Sequence, residues 1–305
     1  SFWQLVGKTT PEDLEKRLFT VKIKLEDALP VHFASLSSYT VTYKIRGSVE
    51  TLARYFPELQ DRSYDTIMAL CHARYSTNTV SNFERSQPFA LLGHNGEINT
   101  IDQFRREANQ IGIQLPKNGS DSQDVDRALE YFCIEQKMSL VQAMEIIFPP
   151  TPYEVSHFAA PVQEMYTHNS QAFGPFAQGP AAIGARYGDT AICSLDALGL
   201  RPLWFSETEK EYIFSSERGA ILLEDMVADS RPLSPGEKMG LVINRGQGIE
   251  VLTHQDIRQN VVNTSLRLNS GLSAPAFSTK NHSGKIIFNN SINVSEKEQF
   301  EKFPF

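Results

Sequence analysis

Three short segments bring together side chains that could hold a carboxylate and stabilise a developing oxyanion. They are Cys71-His72-Ala73-Arg74-Tyr75-Ser76-Thr77-Asn78-Thr79, Gln87-Pro88-Phe89, and His94-Asn95-Gly96-Glu97-Ile98-Asn99-Thr100. Arg74 follows one apolar run (65–73) and Asn95-Gly96 follows the next (88–93). A guanidinium at a strand end can grip a carboxylate through two parallel N–H bonds. An Asn-Gly pair can offer a side-chain N–H and a backbone N–H to negative charge. The same pair is also the strongest two-residue hairpin signal, so taken alone it reads equally as a turn. Asp121, in Gly119-Ser120-Asp121-Ser122, is on its own chemistry a helix-start carboxylate. Of the three cysteines, Cys71, Cys133 and Cys193, none forms a C-x-x-C pair, and Cys71-His72 cannot close a metal site alone. All three read as buried structural thiols.

The elements that must position these residues follow from periodicity. Thr10-Pro11-Glu12-Asp13 gives a hydroxyl cap, a first-turn proline and first-turn acids, which predict a helix over 10–29. Near-alternating Val31, Phe33, Val41, Tyr43 and Ile45 predict half-buried strands within 31–46. The runs 65–73 and 88–93 predict buried strands delivering side chains at their ends. Helices are expected near 99–112, 121–136 and 139–147, the last stopped by Pro149-Pro150. Strands return at 181–187, 190–195, 203–205 and 212–215, with Gly188-Asp189 as a turn. Sheet, helices, sheet is the order of a layered α+β domain, here expected over 1–255. From 256 to 305 the shift to Asn, Ser and Thr predicts an extension or linker.

Composition narrows the classes of partner. With 305 residues, 41% hydrophobic and 21% charged, the chain can bury a sizeable core. A formal net charge of −7 without any Lys/Arg run argues against nucleic acid and anionic membrane as partners. No apolar stretch reaches bilayer-spanning length and Ser1-Phe2-Trp3-Gln4 is no signal peptide, so the expected location is cytoplasmic.

The order H-A-R-Y-S-T-N-T, Q-P-F, H-N-G-E-I-N-T resembles the class II (N-terminal-nucleophile) glutamine amidotransferase domain of the glutamate synthase type. Gly119-Ser120-Asp121-Ser122, Gly179-Pro180-Ala181-Ala182, Asp196-Ala197-Leu198-Gly199-Leu200-Arg201-Pro202 and Ser215-Ser216-Glu217 are similar to further elements of that family, in its order. The resemblance implies a four-layer αββα sandwich and hydrolysis of the glutamine side-chain amide by an N-terminal cysteine whose α-amino group is the base. By matching position it implies Arg74 for the substrate α-carboxylate and Asp121 for its α-amino group. Asn95 and Gly96 would form the oxyanion hole, with Thr77 and His94 lining or bracing the pocket. It implies glutamine as substrate and an FMN-dependent synthase domain or subunit, with an iron-sulfur cluster, as the ammonia-receiving partner; this chain itself shows no cofactor motif. Two features depart from the family. The expected Cys-Gly start and first strands have no counterpart, since residue 1 is serine, so the nucleophile is expected on a segment upstream of Ser1. Ala197 and Leu198 replace a usual polar pair. The alternatives are an inactive glutamine-binding module and an amidotransferase serving another acceptor enzyme.

Overall fold

The computed structural model describes residues 9–73, 82–174 and 176–269. Helix α1 (Pro11–Ala28) starts as expected: the Thr10 hydroxyl accepts the Asp13 N–H at 3.2 Å, with Pro11 and two acids in the first turn. It buries Leu18 and Phe19 together with the charged Glu15 and Lys22, and a short α2 (Val49–Tyr55) follows. After strand β1 (Leu92–Gly96) come helices α3 (Ile101–Gln110), α4 (Asp121–Glu130) and α5 (Leu140–Ile147), α4 being prolonged by one wide turn over Tyr131–Glu135. Capping boxes Ser120/Gln123 and Ser139/Gln142 explain why α4 and α5 begin where they do. The short α6 (Pro152–Val155) and α7 (Ala160–Phe173) lead into β2 (Ala181–Tyr187) and β3 (Thr190–Leu195). Then come β4 (Trp204–Glu207), β5 (Tyr212–Ser215), β6 (Arg231–Pro232), β7 (Lys238–Asn244), β8 (Gly248–Leu252) and α8 (His254–Asn269).

Two antiparallel sheets result, one in the order β1-β2-β3-β7-β8 and one in the order β5-β4-β6. Period-two alternation divides the large sheet between two cores. Ile183, Ala185, Ile192 and Val242 pack with Phe104, Leu129, Phe132 and Met144 of the helices. Ala182, Cys193, Leu195 and Met239 meet Leu203 and Leu233, with Phe205 and Phe214 against them. The fold is therefore α+β, with helices, large sheet and small sheet in successive layers.

Strand β1 is an edge strand, and side chains satisfy part of its outer edge. The Gln87 amide accepts the His94 N–H at 2.6 Å and donates to the His94 carbonyl at 2.9 Å, standing in for a neighbouring strand. The buried carboxylate of Asp126, on α4, accepts the N–H groups of Leu91 (2.8 Å), Leu92 (2.9 Å) and Ala90 (3.3 Å).

Four sequence expectations are corrected. Residues 31–46 run extended without joining either sheet, because side chains take their backbone groups: Ser35 Oγ accepts the Thr42 N–H at 2.9 Å, and Glu15 bonds the Ser38 N–H and the Ser37 hydroxyl. Residues 65–73 are irregular and largely exposed rather than a buried strand. Leu70 nonetheless rests on Gly93 and Gly184, where an added Cβ would meet its side chain at 3.4 and 3.3 Å. Cys133 and Cys193 are buried as expected, but Cys71 is exposed. The extension expected from 256 starts later, since Ile257 and Val261 of α8 lie in the main core at 0% and 2% exposure.

Replacing Asp126 by alanine leaves the three N–H groups of Ala90–Leu92 buried without acceptors, a loss of about 3 kcal/mol or more. Chemical denaturation of the Asp126→Ala variant checks this; a loss below about 1 kcal/mol would show that another group can take over the edge.

Candidate active site

The two glycines next to the loop after β1 are required by backbone contact. Gly96 has φ +133°, and a Cβ there would lie 1.9 Å from the Pro180 carbonyl oxygen. A Cβ on Gly179 would lie 2.0 Å from the Glu97 carbonyl oxygen. The Glu97 N–H donates to Pro180 (3.2 Å) and the Asn99 N–H to Gln178 (2.8 Å), so segments 96–100 and 177–180 lie backbone on backbone. Asn95-Gly96 is thus no hairpin turn: β1 pairs with β2, with Asn95 opposite Ala182 and Gly96 opposite Ala181.

The half-buried Asn95 side chain lies between two distant loops. Its Oδ1 accepts from Arg201 Nη2 at 2.6 Å and its Nδ2 donates to Ser216 Oγ at 3.0 Å. Arg201 ends a loop closed on Asp196, whose carboxylate accepts the N–H groups of Leu198, Leu200 and Arg201 at 3.1, 3.0 and 3.0 Å. Arg201 and Ser216 lie within family-like sequence motifs, and that motif match is the only signal of them in the sequence.

His94, 5% exposed, ties this loop to α4. Its Nε2 lies 3.1 Å from the Gly96 carbonyl and its Nδ1 lies 2.9 Å from Ser122 Oγ. A carbonyl can only accept, so Nε2 carries the proton, and Nδ1 of the neutral ring is the acceptor. Ser122 Oγ is also 3.1 Å from Asp121 Oδ1, and its single proton serves one of the two at a time. Burial holds the His94 imidazole below its ordinary value, the Asp121 charge pulling the other way. Asp121, first residue of α4, also accepts the Ile98 N–H on Oδ2 at 3.4 Å, which sets its half-buried carboxylate beside the loop after Gly96.

Of the predicted site residues, the structure brings together Asn95, Gly96, His94 and Asp121. Arg74 and Thr77 lie outside the described residues. Among the described residues no group of three or more His, Cys, Asp or Glu side chains could hold a metal, and no helix is long and apolar enough to cross a membrane. A cavity of about 290 Å³ opens beyond the Gly179-Pro180 segment and is lined by Ile98, Leu195, Leu198 and Lys238; neither Asn95 nor Asp121 lines it.

The family model for class II glutamine amidotransferases matches residues 2–266. The chain belongs to that family. Among similar proteins, the glutamate synthase [NADPH] large chain of Bacillus subtilis (strain 168) is 31% identical over 271 residues, covering 81% of this chain and 17% of the relative. The chloroplastic ferredoxin-dependent glutamate synthase of Oryza sativa subsp. japonica is 28% identical over 295 residues, covering 87% and 18%. The amidotransferase chain thus spans less than a fifth of the length of these relatives. The solved glutamine phosphoribosylpyrophosphate amidotransferase from B. subtilis overlaps 60% of this chain and 34% of its own at 22% identity and TM-score 0.36, a superposition too loose to bear on the fold.

The neutral His94 makes the amidotransferase site acid-sensitive. A histidine depressed by folding binds fewer protons folded than unfolded between its two pKa values, so its contribution is present above about pH 6.5 and lost as pH falls below it. Unfolding free energies at pH 7 and pH 5 are expected to drop more in the wild type than in His94→Gln. His32, held at about 4 by burial, retains part of the slope in both proteins. Equal drops would mean that His94 is protonated in the folded site.

Proposed function

We propose that this amidotransferase unit hydrolyses the side-chain amide of glutamine and passes the ammonia to the synthase portion of a longer, glutamate synthase-like protein. The observation that carries the proposal is the convergence of Asn95-Gly96 and Asp121 through His94, in a chain of the class II family. Asn95 Nδ2 and the Gly96 N–H stabilise the oxyanion formed when a thiolate adds to the amide carbon. Asp121 holds the glutamine α-ammonium, and Arg74 takes the α-carboxylate by a bidentate pair. Thr77 belongs to the same pocket. Collapse of the tetrahedral adduct expels ammonia, and water then releases glutamate from the thioester.

The thiolate is assigned to an N-terminal cysteine of the natural polypeptide, as class II amidotransferase chemistry requires, and not to Cys71, Cys133 or Cys193. Burial pushes the Cys133 and Cys193 thiols well up, away from the reactive thiolate, and Cys71 is exposed on the segment lying over Gly93 and Gly184. FMN and an iron-sulfur cluster belong, in this proposal, to the synthase portion. That portion takes up ammonia, and the relatives bear glutamate synthase names.

Steady-state hydrolysis of glutamine by the full natural polypeptide tests the proposal. Asn95→Ala is expected to lower kcat by roughly 100- to 1,000-fold with little change in KM, as loss of one oxyanion donor does. Asp121→Asn is expected to act mainly through KM, because it removes a ground-state contact to the ammonium. Binding of glutamine without hydrolysis by the wild type would leave only a glutamine-binding module.

A further inference from the structure

Asn95 can do its work in only one of two orientations. Its amide has the same shape with Oδ1 and Nδ2 exchanged, and the choice between them is settled by the partners' hydrogen-bonding chemistry. Ser216 Oγ, 3.0 Å away, can donate or accept and so does not choose. Arg201 does choose: a guanidinium has donors only, and its Nη2 lies 2.6 Å from one end of the amide, so that end is the oxygen. Nδ2 is then the other end. One of its two N–H bonds goes to Ser216, and the second remains for the reacting carbonyl oxygen. With the amide reversed, a lone pair would face the developing negative charge and repel it.

The guanidinium also sharpens the donor. A cation against Oδ1 draws charge from the amide and polarises its N–H bonds, as chains of hydrogen bonds do in a medium of low dielectric. Arg201 itself has little freedom. The Asp196 carboxylate fixes its backbone N–H, Gly199 turns the loop at φ +66°, and a Cβ on Gly199 would come within 2.8 Å of Pro235 Cγ. Among the described residues the buried Arg201 Nε has no partner. The shortest hydrogen bond that Arg201 makes among the described residues is the one to Asn95.

We propose that Arg201 is a positioning residue for glutamine hydrolysis, its guanidinium holding Asn95 with Oδ1 turned away from the substrate and Nδ2 presented to the oxyanion. The inference rests on the glutaminase function proposed above. It acts through Asn95 and assigns Arg201 no contact with glutamine.

The test is steady-state glutaminase kinetics of the full natural polypeptide, with melting curves to establish folding, for wild type, Arg201→Gln, Arg201→Lys, Asn95→Ala and Asn95→Ala combined with Arg201→Gln. Arg201→Gln, whose amide can face Asn95 with either end, is expected to lower kcat about 10- to 100-fold while KM moves less than about threefold. Arg201→Lys keeps a donor-only cation and should recover most of the loss. In the Asn95→Ala background Arg201→Gln should have no further effect, because its target is gone. An unchanged kcat in Arg201→Gln overturns the inference. So does an equal loss with and without Asn95, which is the result an effect of Arg201 that bypasses Asn95 would give. Should Arg201→Gln fail to fold, Arg201→Met, which has no donor for Asn95 Oδ1, reads the same question: a fall in kcat that disappears in the Asn95→Ala background supports the inference, and an unchanged kcat or a fall that persists overturns it. A wild type that does not hydrolyse glutamine removes the proposed function and this inference together. Hydrolysis by the wild type with an unimpaired Arg201→Gln removes the inference alone.

Discussion

The arrangement depends first on the Asp126 carboxylate. It is buried at the start of β1 and accepts N–H groups from three successive residues, Ala90, Leu91 and Leu92. Burial raises this carboxyl to about 6, and the backbone donors pull against that rise. The bond set locks an edge strand to α4, and from this the relation of the two ends follows. β1 ends at Asn95-Gly96 and α4 begins at Asp121, so fixing strand to helix fixes the Asn95-Gly96 end of the strand relative to the Asp121 carboxylate. His94 closes the same figure at the far end, with one ring nitrogen on Gly96 and the other on Ser122.

Charge pairs buried between elements complete the frame. Lys22 of α1 lies 2.8 Å from Glu130 of α4, Arg127 of α4 bonds Glu26 of α1, and Lys238 of β7 lies 3.0 Å from Glu145 of α5. Each pair is a liability if one partner is removed, since the survivor would be an uncompensated charge in the core. These pairs also explain part of what could not be read from sequence. β7 carries Lys238 at a position 3% exposed and Gly240 at its centre, so its apolar alternation is broken although the strand is real. α8 opens inside a polar stretch and turns Ile257 and Val261 into the main core, with Val262 packed against it.

What was legible came from local chemistry. The caps of α1, α4 and α5 are side-chain to backbone bonds within three residues, and the sequence carries both partners of each. Strands 181–187 and 190–195 were legible because their apolar runs flank Gly188, whose φ of +55° makes the turn. The 31–46 segment misled because its alternation is served by side-chain acceptors instead of a ladder. In the 65–73 run Leu70 alone rests on Gly93 and Gly184, while Ile67 is exposed, so the apolar run marks no buried strand. At the site, Asn95-Gly96 and Asp121 stood out by motif, whereas the partners that orient Asn95 lie 106 and 121 residues away and nothing local announces them.

The site divides the labour: glycines permit two backbones to touch, a buried imidazole joins loop to helix, and Asn95 is gripped from loops that only the fold brings near. The central claim is that this geometry serves a nucleophilic thiolate attacking glutamine. The most direct measurement is to treat the natural polypeptide with a diazoketone analogue of glutamine and locate the adduct by peptide mass spectrometry. One adduct is expected, on the sulfur of an N-terminal cysteine of the natural polypeptide, suppressed by excess glutamine. An adduct on Cys71, or none on a protein that binds glutamine, would contradict it.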